Sequence, residues 1–113
     1  MNNPPTIAII TNPLTNDSVR IDFLHLKKVA VILRSINHKL RQQILRVIDE
    51  HKKITVTELY IKLRLEQSVA SQHLAILRRA GIVGTERDGK FIYYFIKYDR
   101  VKDISRFVEE LLA

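Results

Sequence analysis

The sequence contains no cysteine and only three glycines. Without thiols, disulfide frameworks, thiolate zinc sites, iron–sulfur clusters and thiol redox sensors are excluded. Catalysis would require a nucleophile beside a base, or paired carboxylates, on a framework that shapes a pocket. No such arrangement and no glycine-rich phosphate loop occurs, and Glu109 and Glu110 would diverge because they are adjacent on a helix. The composition therefore argues against an enzyme.

Long hydrophobic runs are also missing. The longest apolar runs, residues 29–33 and 91–96, are far too short to cross a membrane. The first residues, Met-Asn-Asn-Pro-Pro, lack the basic start and apolar stretch of a signal peptide. With 113 residues, 46% of them apolar, we expect one domain in the cytoplasm, with no membrane partner and no cofactor.

Acidic residues are scarce relative to basic ones. The sequence has nineteen lysines and arginines and twelve aspartates and glutamates, which gives a net charge of +7. Residues 27–79 hold twelve of the basic residues and only four acids, a surplus of eight, and the remainder is close to neutral. A surplus of this size favours a polyanionic partner, and its position indicates which part of the chain binds that partner.

The beginning of the chain is rich in helix breakers. Residues 1–16 contain all three prolines, so we predict a flexible N-terminal arm there, with at most a short extended piece over residues 6–11. Residues 17–113 form the predicted domain. A first helix is expected to begin at Asp17, capped by Asn16 or Asp17, because apolar residues from Val19 to Leu33 recur at steps of three and four. Its apolar stripe is wider than one helix face, which indicates burial against a second subunit.

Four more helices and a hairpin follow. The spacing predicts helices over residues 40–51 (with Asn37 as a plausible cap), 55–63, 67–80 and 98–113. Gly81 closes the helix over residues 67–80, which is the fourth helix of the chain. Between the last two, residues 83–96 change to strand patterning around Asp88-Gly89, a dipeptide suited to a tight turn. The predicted fold is mainly α with a small β-hairpin: four helices, a hairpin wing and a C-terminal helix, which is a winged helix–turn–helix.

The fourth predicted helix has the composition of a recognition helix. Once its apolar residues are buried, amide and hydroxyl side chains remain on the outer face, and such groups can bond base edges in a major groove. Arginine at the end of this helix and the two cations of the hairpin tip suit phosphates or a minor groove. The candidate DNA-binding residues are Gln67, Ser68, Ser71, Gln72, Arg78, Arg87 and Lys90.

Three ordered motifs resemble the ArsR/SmtB family of bacterial winged-helix repressors. They are Ser-x-x-Ser-x-His-Leu over residues 68–74, Leu-Arg-x-Ala-Gly over 77–81 and Gly-Lys-x-x-Tyr-Tyr over 89–94. The resemblance implies a homodimer built from the first and last helices, which binds double-stranded DNA at an inverted-repeat operator and represses transcription until an inducer loosens the complex. His73 matches the family's histidine, and we expect it to pack against the first helix of the helix–turn–helix. The implied dimer interface contains Phe23, Leu26, Ala30, Leu33, Val101, Ile104, Val108 and Leu111.

The metal ligands of that family are missing. Thr55 and Thr57 stand where metal-sensing members carry a Cys-x-Cys pair, and hydroxyls are poor ligands for soft metals. Asp99 matches an aspartate of another family site, but Val101 occupies the histidine position, and residues 109–113 contain no histidine. His25, His38 and His51 have no ligand spacing and are expected on the surface. No metal site is predicted, and the sequence does not indicate an inducer.

Two alternatives stay open at this point. One is a protein–protein interaction module that has kept the winged-helix shape, although such modules have an apolar or acidic recognition face. The other is a non-specific architectural DNA-binding protein, which the net charge permits but the amide and hydroxyl groups do not favour.

Overall fold

The computed structural model describes residues 5–113; residues 1–4, part of the predicted arm, lie outside it. The elements run β1 (Ile7–Thr11), β2 (Ser18–Asp22), α1 (Phe23–Ile36), α2 (Lys39–His51), β3 (Lys53–Thr55), α3 (Val56–Leu63), α4 (Gln67–Arg79), β4 (Val83–Asp88), β5 (Phe91–Ile96) and α5 (Tyr98–Leu112). The chain divides into two compact units, one up to Arg34 and one from Ser35 to Ala113, which we describe separately.

The first unit is a β-hairpin followed by a helix. Strands β1 and β2 are antiparallel, with Ile7 opposite Asp22 and Thr11 opposite Ser18. The six-residue connection closes on Asn12, whose N–H donates to the carbonyl of Asp17 at 2.8 Å, and Asn16 takes a left-handed conformation with φ 65°. Helix α1 begins at Phe23, where Asp22 Oδ1 accepts from the backbone N–H groups of Leu24 and His25.

This hairpin corrects two predictions. Residues 18–22 were expected in the first helix but form β2, and the helix begins six residues later than Asp17. Val19 and Ile21 alternate with polar residues, and tertiary pairing selects that period of two over the overlapping helical spacing. Strand β1 lies within the short extended piece expected over residues 6–11, and residues 16 and 17, between which the domain boundary was placed, lie in the connection between β1 and β2.

The second unit is the predicted winged helix–turn–helix. Helices α2, α3 and α4 pack over a three-stranded sheet in the order β3-β5-β4, and α5 follows β5. The wing register pairs Val83 with Ile96 and Asp88 with Phe91 around Gly89, whose φ is +62°. Strand β3, three residues that pair with β5, was not predicted. The fully buried large side chains of this unit are Ile44, Ile48, Ile54, Leu59, Leu74, Leu77, Ile82 and Val83.

Local signals fix most of the helix ends. Thr55 caps α3 through a capping box, in which its Oγ1 accepts from the N–H of Glu58 and the Glu58 carboxylate accepts from the N–H of Thr55. Helix α4 gives way to Gly81, with φ +77°. Helix α2 differs from prediction because His38 caps it and not Asn37: His38 Nδ1 accepts from the N–H of Arg41 at 3.4 Å.

Across residues 5–113, none of the helices combines the length and the apolar character that a membrane crossing requires.

Candidate nucleic-acid interface

Helix α4 presents one polar face to solvent. Gln67, Ser68, Ser71 and Gln72 are all exposed, and their spacing of one, three and one residues places them along one side of the first turns. None of these four side chains carries a charge, so hydrogen bonding to base edges is the chemistry that this face offers.

The opposite side of α4 anchors it in the core. Ala70, Leu74 and Leu77 are fully buried, and Ala80 is nearly so just beyond the helix end. Val69, another apolar residue of this helix, is only half-buried. Because its apolar residues are packed at three- and four-residue steps, α4 has a fixed rotation about its axis, and that rotation keeps the polar face outward.

The C-terminal end of α4 carries positive charge. Arg78 and Arg79 are exposed in its last turn. A third arginine stabilises this end from α5: Arg100 Nη2 donates to the carbonyl of Ala80 at 3.1 Å. Cations near a helix C-terminus interact favourably with its free carbonyls.

The wing places its two predicted cations beside the turn. Arg87 and Lys90 are both exposed on either side of the tip. Arg87 Nε donates to the carbonyl of Gly89 at 3.2 Å, which holds the guanidinium along the turn. Lys90 Nζ lies 5.4 Å from the ring centre of Phe91, a cation–π contact.

The wing also contains an ion pair that sequence reasoning missed. Lys53 Nζ on β3 lies 3.1 Å from Glu86 Oε1 on β4 and 4.8 Å from the ring centre of Tyr93 on β5. The side-chain hydrogen bond and attraction of Glu86 raise the pKa of Lys53. Through these two contacts Lys53 links all three strands, and only the sheet order could have revealed them.

A histidine–arginine cluster adjoins the polar face of α4. His73, the residue after Gln72, is half-buried, and its Nδ1 lies 3.2 Å from Arg41 Nη1 on α2. The rings of His73 and His38 are 5.0 Å apart. The polar and ring contacts of His73 are with Arg41 on α2 and with His38, the N-cap of α2; packing of His73 against α3 stays a prediction. Desolvation, and then the nearby Arg41 and His38, lower the pKa of His73.

Arg41 connects this cluster to the end of α1. It is 9% exposed, and its Nε donates to the carbonyl of Ser35 at 2.6 Å. Sequence reasoning did not single out Arg41. A signal was available, because position 41 lies three residues before Ile44 and seven before Ile48, on the buried stripe of α2.

Thr55 and Thr57 lie at the beginning of α3, where metal-sensing relatives would carry their ligands. The Thr55 hydroxyl is engaged in the capping box and donates to Glu58 Oε1 at 2.9 Å, and Thr57 is exposed. Among residues 5–113, no group of three or more histidine, aspartate or glutamate side chains is placed to hold a metal ion.

The predicted dimer residues are uncovered to different degrees. On α1, Phe23 and Leu26 are exposed, and Ala30 and Leu33 are half-buried. On α5, Leu111 is 72% exposed and no residue of the helix is buried. The remaining candidates on α5, all half-buried, are Val101, Ile104 and Val108.

Comparison with known proteins identifies relatives of this arrangement. Residues 38–85 match the profile described as bacterial regulatory protein, arsR family. An uncharacterized HTH-type transcriptional regulator of Methanocaldococcus jannaschii is 35% identical over 85 residues, which cover 75% of this chain and 96% of the relative. The transcriptional repressor PagR of Bacillus anthracis is 30% identical over 92 residues, covering 81% and 92%. The transcriptional activator HlyU of Vibrio cholerae is 34% identical over 84 residues, covering 74% and 77%.

Solved structures agree with these sequence relationships. The crystal structure of PagR superposes with a TM-score of 0.62 at 31% identity, covering 76% of this chain and 98% of PagR. The crystal structure of NolR from Sinorhizobium fredii gives a TM-score of 0.64 at 32% identity, covering 78% and 87%.

Proposed function

This chain belongs to the arsR family of bacterial regulatory proteins, and we propose that it is a dimeric repressor that reads an inverted-repeat operator with α4. As a family member it is a DNA-binding regulator of transcription and not an enzyme. In the proposal, each recognition helix enters one major groove, each wing lies on the neighbouring backbone or minor groove, and α1 and α5 join the two subunits.

The observation that carries this proposal is the outer face of α4. It offers Gln67, Ser68, Ser71 and Gln72 to solvent while Leu74 and Leu77 are buried. A protein–protein module would instead place apolar or acidic groups there. An architectural protein would need only cations, whereas amide and hydroxyl groups distinguish one base pair from another.

Dimerisation is supported by what a single chain leaves uncovered. None of the side chains of α5 is buried, and on α1 only Ser35 is. Both helices carry apolar residues that one subunit does not cover, and a self-complementary contact between two copies would bury them. Two copies would also present two recognition helices, which an inverted repeat requires.

The test is fluorescence anisotropy of a duplex from the protein's own upstream region against a scrambled duplex, at ~150 mM salt, where weak non-specific binding is largely screened. We expect a clear preference for the upstream duplex at two subunits per site. Equal affinity for both duplexes would favour an architectural protein, and no binding at any salt would favour a protein–protein module.

The direction of regulation needs a separate measurement, since the similar proteins include both a repressor and an activator. A promoter that contains the bound site should give less transcript in vitro as the protein is added. More transcript would contradict repression and leave the DNA-binding proposal intact.

A further inference from the structure

The N-terminal hairpin has one face made only of apolar side chains. Residues opposite each other in an antiparallel pair share a face, and the register pairs Ala8 with Ile21 and Ile10 with Val19. These four residues form what we call the apolar hairpin face. The other face carries Ile7, Ile9, Thr11, Ser18, Arg20 and Asp22.

The first compact unit leaves its apolar hairpin face largely uncovered. Ile10 is 56% exposed and Val19 is 61% exposed, while Ala8 and Ile21 are half-buried. A two-stranded hairpin is marginally stable by itself in water and usually needs an apolar face packed on something else. The rest of the first compact unit does not cover Ile10 and Val19, so this face is available to another surface.

The hairpin is continuous with α1. Strand β2 ends at Asp22 and α1 begins at Phe23, with no residue between them. The N–H of Phe23 donates to the carbonyl of Thr6, at the start of β1, and the Asp22 side chain caps the helix. The hairpin and most of α1 thus belong to one compact unit, and a partner that binds the beginning of α1 lies next to the hairpin.

Helix α1 adds its own uncovered apolar residues. Phe23, Leu24, Leu26 and Val31 are all exposed by more than two-fifths, and α1 begins four residues after the exposed Val19. Several exposed apolar residues in one compact unit, on a chain with 27% charged residues, indicate an interaction site.

We infer that the apolar hairpin face packs against a second copy of this chain and extends the dimer interface of α1 beyond the helix. The inference rests on the proposed homodimer. Continuity with α1 identifies the occupant, because the subunit that covers α1 lies next to the hairpin. DNA is a poor fit, since this face has no charged or hydrogen-bonding side chain and Arg20 is on the opposite face.

Two neighbouring isoleucines provide a matched test. Ile10 lies on the apolar hairpin face and Ile9 on the opposite face, with nearly equal exposures of 56% and 52%. We would measure the dimer dissociation constant of the full chain, Ile10→Glu and Ile9→Glu by sedimentation equilibrium. Ile10→Glu should weaken the dimer about tenfold or more, because a carboxylate would be buried without a partner. Ile9→Glu, which faces Arg20, should leave the constant unchanged.

A milder variant separates interface loss from hairpin loss. Ile10→Thr keeps a β-branched side chain suited to a strand but removes apolar contact, and it should weaken the dimer in the same direction by less. Far-ultraviolet circular dichroism of all variants should match that of the original chain.

The possible outcomes separate the two proposals. If the original chain is a dimer and both Ile10→Glu and Ile10→Thr leave its dissociation constant unchanged, the hairpin inference is overturned and the dimer stands. If the original chain is a monomer at micromolar concentration, both fail. Operator preference, measured separately by anisotropy, reports on DNA recognition whatever the dimer result.

Discussion

The Nη1 atom of Arg41 donates a hydrogen bond of 3.2 Å to Nδ1 of His73, which joins α2 to the recognition helix. Since an arginine has no acceptor, Nδ1 of His73 carries no proton in this arrangement. The adjoining residue, Gln72, is exposed on the polar face of α4. The Arg41–His73 contact with α2 thus lies next to the polar face that the buried apolar residues of α4 orient.

This contact predicts a pH dependence of stability. Burial, Arg41 and His38 lower the pKa of His73 in the folded chain, so the unfolded chain takes up the proton first as the pH falls. The free energy of unfolding should decrease as the pH drops below about 6.5, the ordinary histidine value, and level off below the folded pKa. Above that ordinary value this contribution is fully present.

His73→Asn isolates the effect, because the Asn Oδ1 can accept from Arg41 but cannot take up a proton in this range. Urea unfolding of both proteins between pH 7.5 and pH 5 should show the stability advantage of the original chain shrinking with acidification. Parallel curves would contradict the assignment to His73.

Arg41 should contribute to stability through its planar, forked geometry. Nε donates to the Ser35 carbonyl and Nη1 to His73, so Arg41→Ala removes both bonds from a buried site. We expect a loss of about 1–3 kcal/mol in the free energy of unfolding for each buried acceptor affected. Arg41→Lys keeps the charge but cannot reproduce the fork, and it should recover only part of the loss in urea unfolding. Full recovery would show that charge alone matters.

Substitutions on the polar face of α4 should change the specificity for operator DNA, whereas a substitution in the wing should change the affinity for any DNA. Ser71→Ala or Gln72→Ala should narrow the difference between operator and random DNA by about 1–3 kcal/mol, the range for a base contact. Arg87→Ala should weaken both duplexes alike and reduce the slope of log affinity against log salt by about 1. Anisotropy titrations at several salt concentrations distinguish the two patterns. Unchanged specificity in both α4 variants would contradict this placement of the recognition face.

Alanine substitutions at two glycines of the wing should lower the free energy of unfolding for different reasons. A Cβ at Gly84 would lie 2.7 Å from Cζ of Phe95, so Gly84→Ala must displace a ring and should cost about 1–3 kcal/mol. A Cβ at Gly89 meets nothing within 4 Å, but φ is +62°, so Gly89→Ala should cost only the left-handed backbone strain of about 1–2 kcal/mol.

Second substitutions distinguish these mechanisms. Phe95→Leu should relieve Gly84→Ala, and Gly89→Asn should be milder than Gly89→Ala, because asparagine enters the left-handed region more readily. Thermal unfolding of Gly84→Ala, Phe95→Leu, the double variant of these two, Gly89→Ala and Gly89→Asn checks both expectations. If Phe95→Leu does not lessen the cost of Gly84→Ala, the ring is not the obstacle.

Helices α2 to α5, the capping box and the turn at Gly89 could be predicted from the sequence because their signals are local. The Thr55–Glu58 box spans four residues, and the apolar steps of α4 fix both its length and its outer face. The family resemblance rested on these same segments, and residues 38–85 match the family profile.

Tertiary structure decided what local patterns left ambiguous. Val19 and Phe23 fit a helical step while Val19 and Ile21 fit a strand, and only pairing with Ile10 and Ala8 selected β2. Likewise, Arg41 and His73 are 32 residues apart, and no local sequence pattern predicts that they contact each other. Periodicity reports which residues share a face of one element, whereas contacts between elements depend on how the chain returns on itself, so the hairpin and the Arg41–His73 bond became visible only in the folded chain.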